Sequence, residues 1–219
     1  MKSILHGYGV MEFQDVVEID PDFFDGWLER RKANEPSDYI LQEDGTYLNR
    51  GGYRFTAEQV NESPSRILRL EENASQEDID FYQSVYNGMG ECIKVYCQHF
   101  PEVEPCIWWR AHPHVATYAV TGNMGFHHDN LIGDGKESNN AIFTVLTGSL
   151  ILKDRCEGGN LLFKYAGLDI APKAGSAFIY SAGYLGTHAV EPVLSGERVS
   201  YLEFFGHGPQ EGSTEFAWR

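Results

Sequence analysis

The side chains most able to do chemistry lie in the stretch Gly125-Phe126-His127-His128-Asp129-Asn130. In an extended strand, alternate side chains share a face, so His127 and Asp129 point to one side and His128 to the other. An imidazole and a carboxylate that converge in this way are ligands for a divalent transition metal. Strand alternation favours His127 over His128 as the ligand, and His128 stays open as the alternative.

A third metal ligand is available in the segment Gly186-Thr187-His188-Ala189-Val190. Two histidines and one carboxylate on one face of a metal leave its other positions open, as in the non-haem Fe(II) oxygenases. Imidazole and carboxylate suit Fe(II) better than zinc, which prefers thiolates, although the residue types alone do not exclude zinc. The sequence therefore predicts a metal site formed by His127, Asp129 and His188.

An arginine, Arg198, follows this third ligand and precedes an otherwise apolar run rich in β-formers. A buried guanidinium without an anionic partner is costly, and it can hold a carboxylate through two parallel hydrogen bonds. Strand alternation places the Ser200 hydroxyl on the same face. Two interpretations are open on spacing alone, an anion-binding residue and a surface arginine at the start of a hairpin.

The elements that must position these residues change character near residue 101. Before it, Asp20-Pro21 predicts the start of one helix, and Ser75-Gln76-Glu77-Asp78 resembles a capping box that opens another. Pro101 ends this second helix. From about Cys106 onward, short runs of β-formers alternate with glycines, which is typical of a sandwich or barrel.

The length of 219 residues fits one large domain. We therefore predict a single domain over residues 1–219. Residues 1–105 would form a helical and mixed support and substrate region, residues 106–206 a β-rich catalytic core, and residues 207–219 a C-terminal tail. The predicted fold class is mainly β with N-terminal helices.

Charge and composition narrow the classes of partner and compartment. Seventeen Lys and Arg face 32 Asp and Glu, a formal charge of −15, which disfavours nucleic acid and anionic membrane as partners. No apolar run approaches the roughly 20 residues of a membrane span, and the N-terminus does not resemble a signal peptide. The four cysteines match no zinc pattern and are expected to be reduced thiols, so we expect a cytoplasmic protein.

Four segments together resemble the Fe(II)- and 2-oxoglutarate-dependent oxygenases, in the branch of the prolyl 4-hydroxylases and the bacterial PKHD-type hydroxylases. The segments are residues 118–130, 154–163, 172–180 and 188–198, and they occur in the order found in the family. They contain the His-x-Asp motif, a Gly-Gly-x-Leu turn, the strand before the distal histidine and the terminal His-to-Arg motif. The resemblance covers about residues 115–206.

This resemblance implies a double-stranded β-helix, or jelly-roll, core and a defined set of ligands. The implied Fe(II) ligands are His127, Asp129 and His188. Arg198 would pair with the distal carboxylate of 2-oxoglutarate, and Tyr118 and Ser200 would be further contacts to it. The prolyl 4-hydroxylase branch often has lysine at the Arg198 position, so the arginine indicates the other members.

The activity implied is oxidation of an unactivated C–H by Fe(II), 2-oxoglutarate and O₂, with ascorbate as a supporting reductant. The carboxylate of Asp129 favours hydroxylation over halogenation. The expected substrate is an amino-acid-like small molecule or a peptidyl residue. The alternative class is a cupin-like metal-binding isomerase or a ligand-binding module, which would not need Arg198.

Substrate contacts are predicted before the metal motif, at Trp109, Arg110 and Arg54. Of the neighbours Trp108 and Trp109, one should face the core and the other should face outward. The pair in His112-Pro113-His114 lacks a carboxylate and contains a proline, so it is a weaker metal candidate.

Overall fold

The structure is a computed structural model, and it describes residues 1–34, 40–48, 54–62, 65–67, 74–111, 113–130, 143–208 and 213–215. The helices are α1 (Pro21–Asn34), α2 (Ala57–Glu62) and α3 (Gln76–His99). The Ser75 hydroxyl accepts a hydrogen bond from the Asp78 amide at 3.1 Å, so the predicted cap of α3 is present.

Strands make up most of the remaining described chain. They are β1 (Lys2–Leu5), β2 (Met11–Gln14), β3 (Ile40–Leu41), β4 (Tyr47–Leu48), β5 (Arg54–Phe55), β6 (Ser65–Ile67), β7 (Trp109–Ala111), β8 (His114–Tyr118), β9 (Met124–His127), β10 (Thr144–Lys153), β11 (Cys156–Gly158), β12 (Leu161–Phe163), β13 (Leu168–Ile170), β14 (Ala177–Ser181), β15 (His188–Val190), β16 (Val193–Gly196), β17 (Arg198–Gly206) and β18 (Ser213–Glu215). The expectation of a mainly β fold with N-terminal helices is confirmed.

Two antiparallel sheets position the predicted site. Within the described residues, the larger sheet follows the order β1-β2-β14-β10-β17-β7-β18, with β8 paired to β17 and β6 paired to β8. The smaller sheet has the order β13-β12-β15-β9. Side chains from both sheets form one apolar cluster, which includes Tyr118, Phe163 and Phe178, so the sheets face each other across this core.

The larger sheet has a second apolar face, which packs against the helices. On β17, Tyr201 and Phe205 join the helix-side core together with Met89 and Ile93 of α3. Strand alternation then turns Arg198, the first residue of β17, toward the smaller sheet. Gly148 of β10 allows close helix packing, because a Cβ there would lie 2.6 Å from the Met89 sulfur.

The first residues of the chain contribute an unanticipated extension of the larger sheet. β1 pairs with β2, and β2 pairs with β14 through Phe13 opposite Ala177. Such short strands carry little sequence pattern of their own, and their pairing depends on the free edge that β14 offers.

No helix in the described ranges is long and apolar enough to cross a membrane. The division at residues 105 and 206 stays a prediction.

Candidate metal centre

The three predicted metal ligands are brought together by the pairing of two strands. His127 ends β9 and His188 begins β15, and the antiparallel register places these two residues directly opposite each other. Their ring centroids are 4.4 Å apart. Asp129 follows β9 in the next turn, and one ligand atom from each of the three residues lies within 4.8 Å of the others. This arrangement could hold a metal ion.

Both histidines are oriented by backbone carbonyl groups. The Nδ1 of His127 lies 2.8 Å from the Gly125 oxygen, and the Nδ1 of His188 lies 3.0 Å from the Gly186 oxygen. A carbonyl only accepts, so each Nδ1 carries the proton and donates it. In the neutral ring, each Nε2 therefore presents a lone pair, which is the form in which imidazole binds a metal.

The carboxylate of Asp129 is fixed and ionised. Its Oδ2 accepts a hydrogen bond from the Thr147 hydroxyl at 2.6 Å, and its Oδ1 lies 3.5 Å from the His127 Nε2. Burial alone would raise the pKa of Asp129. The neighbouring His188 and His127 and the hydrogen bonds outweigh burial and hold this pKa well below its usual range. Asp129 is thus a charged ligand at neutral pH.

The two histidines differ in their protonation. Burial lowers the pKa of His188 to about 4, although Asp129 opposes this shift, so His188 is neutral at pH 7. Burial would also lower the pKa of His127, but the hydrogen bond and charge of Asp129 reverse the direction and raise it. In the absence of a metal, the His127–Asp129 pair therefore holds a proton more readily than His188 does.

His128, the alternative ligand, takes part in a different contact. Its Nδ1 lies 2.8 Å from the side-chain oxygen of Asn130. The cluster contains His127 instead, as strand alternation predicted.

Arg198 lies on the inner face of the larger sheet, opposite Tyr118 of β8. Its guanidinium carbon is 5.2 Å from the Tyr118 ring centroid, and its Nη1 donates to the Ser200 hydroxyl at 2.7 Å. Arg198 is 1% exposed, and both neighbours are also buried. The interpretation of Arg198 as a surface arginine is therefore wrong.

Part of the hydrogen-bonding capacity of Arg198 is unused. Its Nε is buried and has no hydrogen-bond partner among the described residues. Burial lowers the pKa of the guanidinium, with the Tyr118 phenol and the Cys156 thiol opposing. A buried cation with an orphaned donor fits an anionic ligand, and a carboxylate matches the planar fork of the guanidinium.

Two glycines shape the space around Arg198. Gly158 and Gly159 both have positive φ angles, +72° and +69°, which favour glycine. A Cβ on Gly159 would lie 3.0 Å from the Cδ of Arg198, and one on Gly158 would lie 2.4 Å from the Pro192 oxygen. The Gly-Gly turn thus lets the backbone approach the arginine side chain closely.

Arg110, an expected substrate contact, lies on the opposite face of the larger sheet. In the antiparallel register of β7 and β17, Arg110 lies opposite Phe205, whose ring is in the helix-side core. The side chain of Arg110 is buried, with 3% exposure. Its Nε and Nη2 donate to the two carboxylate oxygens of Glu203 at 2.5 and 2.7 Å, and Nη2 also donates to the Tyr86 carbonyl. The expectation is corrected, because Arg110 forms a buried ion pair beneath α3.

The other two expected substrate residues have hydrogen-bond partners of their own. Trp109 is buried, and its Nε1 donates to the Gly208 carbonyl at 3.0 Å, whereas Trp108 is 57% exposed. Arg54 lies on the small sheet β3-β4-β5, where its Nη1 donates to Asp44 at 3.0 Å. The substrate roles of Trp109 and Arg54 stay predictions. His112 lies outside the described residues.

Several inward residues were missed by sequence reasoning. His114 shares the inner face of β8 with Tyr118, and its ring centroid is 5.6 Å from that of Phe204. Thr147 holds Asp129, and the Tyr180 hydroxyl lies 3.2 Å from the Nε2 of His188. Strand alternation counted back from Tyr118 would have indicated His114, but Thr147 and Tyr180 carry no pattern of their own.

The amino-acid sequence is similar to known proteins of the family that its motifs resemble. Residues 113–206 match the model of the 2OG-Fe(II) oxygenase superfamily. Two PKHD-type hydroxylases from strains of Pseudomonas putida are 34% and 35% identical over 97 residues, which is 42% of this chain and 41% of each relative. The chain thus spans less than half the length of the curated relatives that it matches.

Solved structures show the same fold over nearly the whole chain. A prolyl-4-hydroxylase from Pseudomonas putida aligns with a TM-score of 0.59 at 17% identity, covering 93% of this chain and 95% of that one. A prolyl hydroxylase from Trichoplax adhaerens, in complex with a hypoxia inducible factor peptide fragment, aligns with a TM-score of 0.65 at 12% identity, covering 91% and 84%. The double-stranded β-helix expectation is confirmed. Residues 113–206 are thus similar in sequence to the 2OG-Fe(II) oxygenase superfamily, and most of the chain is similar in fold to prolyl hydroxylases.

Proposed function

We propose that this protein is an Fe(II)- and 2-oxoglutarate-dependent dioxygenase that hydroxylates an unactivated C–H. The observation that carries the proposal is the pairing of two sites inside one barrel. A cluster of two imidazoles and a carboxylate lies between the sheets, and a buried guanidinium with an unpaired Nε donor faces the same interior. The first suits Fe(II) and the second suits the carboxylate of a cosubstrate.

The metal would be held by the Nε2 atoms of His127 and His188 and by the carboxylate of Asp129. When bound, Fe(II) supplies the oxidative chemistry with O₂ and 2-oxoglutarate, and ascorbate would be a supporting reductant. The chain itself fixes the ligand geometry. Thr147 holds the Asp129 carboxylate, and the carbonyls of Gly125 and Gly186 set the tautomers of the histidines.

Arg198 would bind the distal carboxylate of 2-oxoglutarate. Ser200 already orients one nitrogen of the guanidinium, and Tyr118 packs beside it. The pocket is walled by side chains of the barrel core, among them Phe163 and Phe178. These walls exclude water, so the ion pair forms in a medium of low dielectric constant, where it is stronger than at the surface.

The substrate would approach from the end of the barrel where His114 and Phe204 lie. Both residues are half-buried and both are on the inner face of the larger sheet. They offer an apolar ring and one polar contact beside the metal cluster, as small-molecule and peptide sites do. We include a peptidyl residue as substrate because the Trichoplax adhaerens neighbour holds a peptide fragment. An amino-acid-like small molecule is the other substrate class.

A cytoplasmic location is part of this proposal. The structure leaves Cys92, Cys97, Cys106 and Cys156 as free thiols, which agrees with a reducing compartment. The net charge of −15 supports the expectation that nucleic acid and membrane surfaces are not partners.

Anaerobic titration with Fe(II) and 2-oxoglutarate tests the proposal against a cupin-like isomerase or a ligand-binding module. An oxygenase of this type forms a weak visible charge-transfer band when both are present. We expect the band in the wild type and in His128→Ala, and its loss in His188→Ala. Succinate release across a panel of amino acids and peptides would then identify the substrate. Absence of the band in the folded wild-type protein would contradict the proposed activity.

A further inference from the structure

The hydroxyl of Tyr180 lies beside an atom that the proposed metal would use. Tyr180 is on the inner face of β14 and is 1% exposed. Its oxygen is 3.2 Å from the Nε2 of His188. The Nδ1 of His188 donates to the Gly186 carbonyl, so Nε2 is the unprotonated atom and accepts the hydrogen bond from the phenol.

A metal on His188 removes the acceptor of Tyr180. The Nε2 of a neutral imidazole has one lone pair, which cannot serve a metal and a phenol at once. Tyr180 would then hold a buried O–H without an acceptor, which costs free energy. Among the described residues, this oxygen has no other hydrogen-bond partner.

The surroundings of Tyr180 restrict where a new acceptor can lie. The ring is held edge-on by Phe163, with a centroid distance of 4.9 Å, so the side chain is not free to turn away. Among the described residues, the charges of Asp129 and Arg198 act on the phenol. The Oδ2 of Asp129 is already bonded to Thr147. The hydroxyl therefore borders the space between the metal cluster and the anion-binding arginine.

We propose that Tyr180 donates a hydrogen bond to the keto-acid end of 2-oxoglutarate once a metal occupies the Nε2 of His188. This inference rests on the proposed function and adds a residue that the sequence did not indicate. A phenol has an ordinary pKa of about 10, so at neutral pH Tyr180 carries its proton and can donate. Before metal binding the same hydroxyl caps the ligand nitrogen, and afterwards it selects for a ligand with an oxygen acceptor at the metal.

The test compares Tyr180→Phe with Tyr201→Phe under anaerobic conditions. Both tyrosines are fully buried, but the Tyr201 hydroxyl donates to Glu203 on the helix side of the sheet, away from the cluster. Three quantities are measured: the affinity for Co(II) alone, from its visible absorption, the Kd of 2-oxoglutarate with Fe(II), and the wavelength of the charge-transfer band.

In Tyr180→Phe we expect a roughly tenfold rise in the Kd of 2-oxoglutarate, equal to about 1.4 kcal/mol. The band should move to shorter wavelength, because a hydrogen bond lowers the energy of the accepting keto-acid orbital. Co(II) affinity should stay within about twofold, and Tyr201→Phe should match the wild type in all three measurements.

An unchanged band and Kd in Tyr180→Phe would overturn the inference. A loss of Co(II) affinity with an unchanged band would also overturn it, since Tyr180 would then only orient His188. If Tyr180→Phe does not fold, fluorotyrosine placed at position 180 alone keeps the hydroxyl. Its fluorine resonance must shift when 2-oxoglutarate joins the metal-loaded protein. A wild type without any band would instead refute the proposed function, and this inference with it.

Discussion

Arg198 of β17 and Tyr118 of β8 are directly opposite each other in the antiparallel register, with the guanidinium carbon 5.2 Å from the centre of the ring. Both side chains turn toward the smaller sheet, and both are buried. This pair combines a buried positive charge with a phenol at one end of the barrel interior, and the metal cluster lies in the same interior.

Replacement of Arg198 should weaken 2-oxoglutarate binding more than replacement of any neighbour. Arg198→Ala leaves the ligand carboxylate without its charged partner, which costs about 2–5 kcal/mol. Arg198→Lys should recover part of this because it keeps the charge and loses the planar fork. Tyr118→Phe should cost about 0.5–1.5 kcal/mol, the range for one hydrogen bond. The measurement is the Kd of 2-oxoglutarate with Fe(II), and a different order of the three variants would contradict the assignment.

Removal of any one metal ligand should abolish turnover without unfolding the protein. His127→Ala, Asp129→Ala and His188→Ala each leave two ligands of the three. His128→Ala is the matched control, because His128 is adjacent in sequence and bonds to Asn130 instead. Succinate formation and metal affinity are measured, with circular dichroism to check folding. Turnover at the wild-type rate in any of the three ligand variants would exclude that residue as a ligand.

The buried ion pair of Arg110 and Glu203 should contribute to stability and not to cosubstrate binding. Arg110→Met leaves the Glu203 carboxylate buried with the Tyr201 hydroxyl as its one remaining donor among the described residues, so we expect a loss of about 3–5 kcal/mol in unfolding free energy. The double variant Arg110→Met/Glu203→Leu should recover part of this loss. Urea denaturation measures the stability. A raised Kd of 2-oxoglutarate in folded Arg110→Met would show that Arg110 does reach the site.

Acid should destabilise the protein partly through His114. Burial lowers the pKa of His114 to about 4, with the charge of Asp129 opposing, against an ordinary value of about 6.5. Between these values the unfolded chain binds a proton that the folded chain does not, so stability falls as the pH falls. The slope from one such group is at most about 1.4 kcal/mol per pH unit. His114→Gln should show a smaller loss between pH 6.5 and 4, and an equal slope in both proteins would contradict this.

The same histidine should affect the coupling of the reaction. Loss of the imidazole beside Phe204 should leave the substrate poorly held, so His114→Ala should lower hydroxylation more than it lowers uncoupled decay of 2-oxoglutarate. Lys94→Ala is the control, since Lys94 is exposed on α3 and pairs with Glu91. Equal coupling in the two variants would remove His114 from the substrate wall.

Much of the candidate site could be predicted from the sequence because the side chains of a strand alternate between its two faces with a period of two residues. Alternation alone selected His127 over His128 beside Asp129, and it placed Ser200 with Arg198. Composition and glycine spacing indicated the mainly β fold, and the cap at Ser75 indicated α3.

The tertiary structure decided which way each strand faces and which distant strands meet. Alternation predicts that the side chains of Trp109 and Arg110 point to opposite faces of the sheet, but it does not tell which face lines the barrel. Arg110 was therefore predicted to contact the substrate, whereas in the structure its side chain faces α3. The contact of Tyr180 with His188 joins two strands of different sheets, and no local pattern encodes such a contact. Periodicity is a property of one strand, whereas the inward direction and the neighbours across a core exist only after both sheets have packed.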